Sequence, residues 1–347
     1  MLHSTQPHSV CSESCPLGFR KALIKSKPVC CFDCLPCSDG EIANKTADMK
    51  NCLKCTDYQW SNAGRNMCIS RTIEFLSYEE ALGISLSTIA IVFAVITLGV
   101  LVIFICHRDT AIVKANNINL TYTLLISLIM CFLCSLLFIG RPVALTCFFR
   151  QATFAINVTI SVSSVLAKTT TVLIAFNVTK PGGRGRKYVG SRVSCYLVCF
   201  SSMGEATICL LWFVSCQPFP DFDTQEQSAK MILRCNEGSV IAFYVVVAYI
   251  GLLAALSFIV AFLARKLPNS FNEATHITFS MLVFCSVWLS FIPAYLNTKG
   301  KYMVAVEIFA ILASSAGLMG CIFIPKCYII IIRADLNTKE KLRVKKK

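Results

Sequence analysis

The sequence predicts an all-α membrane protein: a seven-transmembrane helix bundle preceded by a small disulfide-rich extracellular module. Three observations carry that expectation. Of 347 residues, 55% are hydrophobic and 15% charged, and the mean hydropathy is +0.64. Soluble domains run near roughly 45–50% and about 25%, so part of this apolar excess must meet lipid. Nine of the 21 cysteines crowd into the first eighty residues. From Ala81 onward seven apolar runs follow, each close to the ~20 residues a helix needs to cross a bilayer core.

Residues 1–10 form a polar leader without the apolar stretch of a secretory signal. Either the first membrane helix inserts with its N-terminus outside, or the chain starts downstream of a missing region. The odd number of cysteines favours the second reading.

Residues 11–70 hold Cys11, Cys15, Cys30, Cys31, Cys34, Cys37, Cys52, Cys55 and Cys68, with few aliphatics to build a core. Such a segment is stable only when stapled by disulfides or by metal. Cys34-x-x-Cys37 and Cys52-x-x-Cys55 have zinc-ribbon spacing, but a zinc site would leave the other five cysteines unexplained. The sequon Asn44-Lys45-Thr46 fits a secretory lumen, where Asn44 is the expected glycosylation site. Disulfides are therefore expected, with no metal and no cofactor. Residues 71–80 read as a linker.

The membrane domain is expected over 81–335, with spans near Ala81–Cys106, Asn119–Ile139, Phe148–Phe176, Val193–Cys216, Ser239–Ala264, Thr275–Leu296 and Met303–Ile332. A basic tail closes the chain over 336–347. Alternate loops and the tail collect sixteen Lys and Arg residues, whereas the opposite loops hold five. The positive-inside rule puts the sixteen in the cytoplasm and the cysteines outside. The net charge of +14 is thus a topology signal and a surface for anionic lipid, and a nucleic-acid role drops out.

Several motifs sharpen this frame. The segment His107-Arg108-Asp109-Thr110-Ala111-Ile112-Val113-Lys114-Ala115-Asn116-Asn117 resembles the first cytoplasmic loop of class C G-protein-coupled receptors. Leu166-Ala167-Lys168-Thr169 resembles their third helix, and Phe271-Asn272-Glu273-Ala274 the start of their sixth. Phe323, Pro325, Lys326 and Tyr328 match their seventh-helix F-x-P-K-x-Y signature. Within the class, the chain is most similar to the vomeronasal type-2 group. That likeness rests on Cys30-Cys31-Phe32-Asp33-Cys34-Leu35-Pro36-Cys37, on Phe279-Ser280-Met281-Leu282-Val283-Phe284-Cys285-Ser286-Val287-Trp288 and on Ile311-Leu312-Ala313-Ser314-Ser315-Ala316-Gly317. Full-length members carry a large ligand-binding domain ahead of the cysteines, where this sequence has ten residues. Ile118 stands where the family usually has Arg.

The resemblance implies a plasma-membrane chemosensory (pheromone) receptor that signals through a heterotrimeric G protein and pairs with itself or a related receptor. Other class C types, sensing glutamate, calcium or taste stimuli, are alternatives, as is a non-signalling partner of full-length receptors. It also implies the disulfides Cys11–Cys31, Cys15–Cys34, Cys37–Cys52 and Cys55–Cys68, leaving Cys30 unpaired. Cys147, at the outer start of the third helix, is expected to join Cys235, in the loop before the fifth. Lys168 and Glu273 are implied as a clasp between the third and sixth helices in the resting state, against the alternative that Lys168 snorkels to headgroups. Lys180, Arg184, Arg186, Lys187 and Arg192 are expected to face the G protein.

Other residues stand out on physical grounds. Pro325 frees a backbone carbonyl, and Lys326 either serves a movable kink there or snorkels from a static one. Glu205 lies mid-span in the fourth helix with no partner legible nearby. Tyr249, Trp288 and Phe309 could line a cavity between helices, or simply pack the core. Sequons at Asn119, Asn157 and Asn177 fall within or at the inner ends of helices, where no glycan is expected. The histidines at 3, 8, 107 and 276 cannot converge on a metal, and no phosphate-binding loop or hydrolase motif is present, so an enzyme is not expected. A transporter would show internal repeats and broken helices in matching halves, and none is legible.

Overall fold

A computed structural model describes residues 11–44, 49–115, 117–178, 191–223, 230–265 and 273–333. Through these residues the chain divides into two compact units, Met1–Glu74 with Phe222–Arg234, and Phe75–Asp221 with Cys235–Lys347. The first unit thus runs past the expected boundary at residue 70. It also recruits part of a hairpin far along the chain.

The first unit is built from short antiparallel ladders. Strand β1 (Phe19–Leu23) pairs with β2 (Phe32–Pro36), β3 (Glu41–Ile42) with β4 (Leu53–Lys54), and β5 (Gln59–Ser61) with β6 (Cys68–Ser70). Ladders this short cannot stand on backbone hydrogen bonds alone, and bridges bind them: Cys11–Cys31, Cys15–Cys34, Cys37–Cys52 and Cys55–Cys68. With Cys34, Cys37, Cys52 and Cys55 all in disulfides, no zinc-ribbon ligand set remains. Four of these half-cystines, Cys15, Cys31, Cys37 and Cys55, are buried, together with Phe32, Ile42, Ala43 and the distant Met231, Ile232 and Leu233. Gly40 turns the chain at φ +81°, and a Cβ there would press 3.0 Å from the Trp60 ring. Strand β7 (Thr72–Glu74) runs parallel to β9 (Lys230–Asn236), pairing Thr72 with Lys230 and Glu74 with Ile232. Strand β8 (Phe219–Asp223) lies on the other side of β9.

The second unit contains seven helices of membrane-spanning length: α1 (Ala81–Cys106), α3 (Ile118–Cys134) extended by a 3₁₀ turn over Ser135–Phe138, α4 (Ala144–Val178), α5 (Ser191–Ser215), α6 (Val240–Ala264), α7 (Glu273–Asn297) and α8 (Lys301–Ile331). A short α2 (Ala111–Ala115) lies between the first two. Helices are the open-ended structures that satisfy every backbone group in lipid. The helix α4 starts one turn before the expected Phe148. Its first turn, Ala144–Cys147, is apolar enough to belong to the span, and Thr146 Oγ1 accepts from the Val143 amide at 3.0 Å and starts the helix there. Ile118, at the family's usual Arg position, opens α3 and packs half-buried against the core.

Burial separates lipid-facing from core faces. On α1, Ala90, Ala94, Thr97 and Phe104 are buried while Ile91, Val92, Val95 and Ile96 are exposed. The third and seventh spans, α4 and α8, are among the most buried, and polar side chains held inside them must find partners there.

Candidate functional site

Three helices bring charge together at the inner end of the bundle. Glu273 stands in the first turn of α7, Lys326 directly follows Pro325 in α8, and Lys168 lies on the buried face of α4. Lys326 Nζ donates to Glu273 Oε1 at 2.6 Å, and Lys168 Nζ stands 3.9 Å from the same oxygen. Lys168 donates instead to Thr121 Oγ1 of α3 at 2.8 Å. Its ammonium also lies 5.9 Å from the ring centroid of Phe323, which meets Phe104 of α1 edge-on at 5.7 Å. One carboxylate therefore faces two cations, and five helices, α1, α3, α4, α7 and α8, meet at this point. Thr278 Oγ1, just over one turn beyond Glu273, donates to Ala261 O of α6 at 3.0 Å and ties in a sixth.

This arrangement revises two expectations. Glu273 takes its short hydrogen bond from Lys326, with Lys168 as a longer second cation. Neither lysine snorkels: Lys168 is 4% exposed and Lys326 7%. Lys326 is held by a carboxylate on the neighbouring α7, so it is not simply the group that answers the carbonyl Pro325 leaves free one turn back, at Cys321. Thr121, the acceptor for Lys168, was legible only as part of the run Leu120-Thr121-Tyr122, with nothing in that run to assign it a partner.

On the cytoplasmic side, Lys114 Nζ lies 2.9 Å from Asp109. Its hydrogen bond holds the Asp109 carboxyl below the usual carboxylate range. Lys180, Arg184, Arg186 and Lys187 lie outside the described residues, and of Arg192 only the backbone, in the first turn of α5, is described. Phe271 and Asn272 likewise lie outside them.

The outer half of the bundle holds a second polar group that sequence reasoning passed over. Arg150 and Gln151 of α4 and Glu307 of α8 are buried. Among the described residues, Arg150 Nε, Gln151 Nε2 and Trp288 Nε1 are buried without a hydrogen-bond partner. The available signal was an ionisable residue inside a predicted span, which applies to Arg150 and Glu307 alike. Beside them, a cavity of about 420 Å³ opens between α6 and α7, lined by Trp288, Phe154, Phe284, Phe291, Gly251 and neighbours. The expected trio is divided. Trp288 lines this cavity, Tyr249 points to α5 and donates to Ser201 O at 3.0 Å, and Phe309 lines a separate hollow between α1, α7 and α8, with Leu82 and Leu86. Helical phase explains it, because neighbours on a helix point about 100° apart. Ala248 and Ile250 thus reach the cavity while Tyr249 cannot.

Glu205 is fully buried on α5, and Oε1 accepts from Cys209 Sγ at 3.9 Å one turn on. Among the described residues, Oε2 has no partner. Cys147 of α4 is bonded to Cys235, across a sequence separation of 88. Cys30 is a free, exposed thiol, and its sulfur lies within 4.8 Å of those of the Cys11–Cys31 bridge. Asn44 is exposed just after β3, while Lys45 and Thr46 of its sequon lie outside the described residues. Asn157 is turned onto its own helix, donating to Thr153 O at 2.7 Å.

Comparison with known proteins agrees with this geometry. The family described as "7 transmembrane sweet-taste receptor of 3 GCPR" matches residues 76–326. The "Nine Cysteines Domain of family 3 GPCR" matches residues 6–61. The chain is 53% identical to mouse vomeronasal type-2 receptor 26, over 97% of this chain and 39% of that one. It is 49% identical to mouse vomeronasal type-2 receptor 116, over 99% and 40%. With the human extracellular calcium-sensing receptor it shares 44% identity over 97% and 31%. The chain thus spans about two fifths of the length of its vomeronasal relatives. Seven apolar helices behind an extracellular cysteine-rich region make it a multi-pass plasma-membrane protein. With both matched regions in this order, the chain belongs to the class C, or family 3, G-protein-coupled receptors.

Proposed function

We propose that this chain is a chemosensory receptor of the vomeronasal type-2 kind that passes its conformational state to a heterotrimeric G protein. The observation that carries the reading is the Lys326–Glu273–Lys168 cluster. It joins the inner ends of α7, α8 and α4, and a receptor must separate such ends to admit a cytosolic partner. A buried charge cluster has two discrete arrangements, closed and open, so its rupture shifts a population rather than bending a helix gradually. Lys180, Arg184, Arg186, Lys187 and Arg192 form the basic surface that meets the partner in this reading. Pairing with a second copy or a related receptor belongs to the same reading and is supported by family membership alone. The apolar cavity at Trp288, whose indole Nε1 is a buried donor without a partner among the described residues, suits a small apolar molecule bearing an acceptor.

The test is G-protein nucleotide exchange on membranes from cells that display the tagged chain at the surface. Glu273→Ala should raise basal exchange several-fold, and neutralising the five basic residues should abolish it without changing surface density. A surface-displayed Glu273→Ala chain that stays silent would favour the non-signalling reading.

A further inference from the structure

Five free cysteines are exposed, and they differ sharply in position. Cys30 belongs to the extracellular module, and Cys216 lies just beyond the outer end of α5. The other three, Cys106, Cys195 and Cys199, all stand at the cytoplasmic ends of membrane helices. Cys106 is the last residue of α1. Cys195 and Cys199 occupy the first two turns of α5, four residues apart, and so share one face.

That face is turned to lipid. Ser194, Val198 and Ser201 on the same helix are buried, whereas Cys195, Cys199, Phe200 and Met203 are exposed. With a rise of 1.5 Å per residue, Cys195 lies about 3 Å and Cys199 about 9 Å beyond Val193, the first apolar residue of the span. Half the hydrocarbon core is about 15 Å thick, so Cys195 sits near the headgroup edge of the inner leaflet, Cys199 lies one turn deeper, and Cys106 stands at the very end of its span. The remaining free thiols offer no such access: Cys131, Cys134 and Cys209 are buried, and Cys285, Cys321 and Cys327 are partly covered by neighbouring helices. The sequence beside the α5 pair carries five basic residues between 180 and 192, which anionic lipid draws to the same leaflet.

We propose that Cys106 on α1 and the Cys195/Cys199 pair on α5 are separate S-acylation sites, accepting long-chain acyl groups from an acyl-coenzyme A thioester at the cytoplasmic membrane surface. In the step, the cysteine sulfur attacks the thioester carbonyl and a new carbon–sulfur bond forms. The bond to the coenzyme A sulfur breaks, and coenzyme A leaves as the thiol, carrying the proton that the cysteine gives up. No electrons change hands. The attached chain lies along the apolar faces of α1 and α5 already exposed to lipid, so its product costs no rearrangement of the bundle.

The test uses the full chain in cells. Free thiols are blocked, thioesters are cleaved with neutral hydroxylamine, and each released thiol receives a polyethylene-glycol maleimide that adds one mass step. The wild-type chain should show hydroxylamine-dependent steps. The triple variant Cys106→Ser/Cys195→Ser/Cys199→Ser should lose them at unchanged surface density, and Cys216→Ser should keep them. Incorporation of an alkynyl long-chain fatty acid should follow the same pattern. A surface-displayed wild-type chain without steps would overturn the proposal, as would steps that survive in the triple variant.

Discussion

The two lysines around Glu273 should act as reserves for one another. In Lys326→Ala the carboxylate loses its 2.6 Å hydrogen bond, but Lys168 remains 3.9 Å away. A movement of about 1 Å would bring it to charge-assisted bonding distance. At that range two unit charges interact by about 6 kcal/mol at an effective dielectric of 20, against about 4 kcal/mol at the present separation, and the mutual repulsion of the two ammonium groups is relieved. In Lys168→Ala the Lys326 bond simply stays. Each single variant should therefore weaken the closed arrangement by under about 1 kcal/mol. The double variant strands the carboxylate. Removing the partner of a buried charge costs about 3–5 kcal/mol, and the Glu273 side chain, 18% exposed, keeps enough solvent contact to bring this down to about 2–3 kcal/mol. The coupling of about 2 kcal/mol is about a thirtyfold change in the ratio of closed to open forms. Basal nucleotide exchange per surface molecule reads that ratio, and the thermal midpoint of the purified chain in detergent reads the cluster independently of coupling. A double variant equal to the sum of its singles, within about 0.5 kcal/mol, would refute the shared role of the lysines.

Three further outcomes follow from single features of the structure. Cys235→Ser opens the bridge to Cys147, which closes an 88-residue separation. Chain entropy sets an upper bound of about 4–5 kcal/mol, so the thermal midpoint should fall. Gly317→Ala places a methyl 2.7 Å from Val283 Cγ1, where α7 and α8 pack closely. Overpacking of about 1–3 kcal/mol should lower the detergent midpoint, and Val283→Ala in the same chain should recover most of it. Asn44 is exposed, so Asn44→Gln should remove one glycan, seen as the loss of a glycosidase-sensitive shift in gel mobility.

Seven spans were legible because lipid imposes a length and a composition that a sequence cannot disguise. The boundaries of α1 and α6 agree within a residue of the apolar runs, whereas α4 begins one turn early, where Thr146 caps the Val143 amide. Orientation was legible from the placement of Lys and Arg, and the cysteine-rich module from its want of aliphatic residues. Residue by residue, the partners were less accessible. Lys168, Glu273 and Lys326 stood out as charges at or inside membrane helices, but pairing them requires the rotation of α4, α7 and α8 about their axes and their relative heights. Those are set by packing against neighbours, not by any periodicity within one helix. The same limit separated Trp288 from Tyr249 and Phe309, and hid Arg150 beside a cavity. What the sequence by itself determined is the set of helices, their direction through the bilayer and the staples outside. Only tertiary structure decided which lysine Glu273 holds, because a difference of about 1 Å between two cations is a property of helix packing.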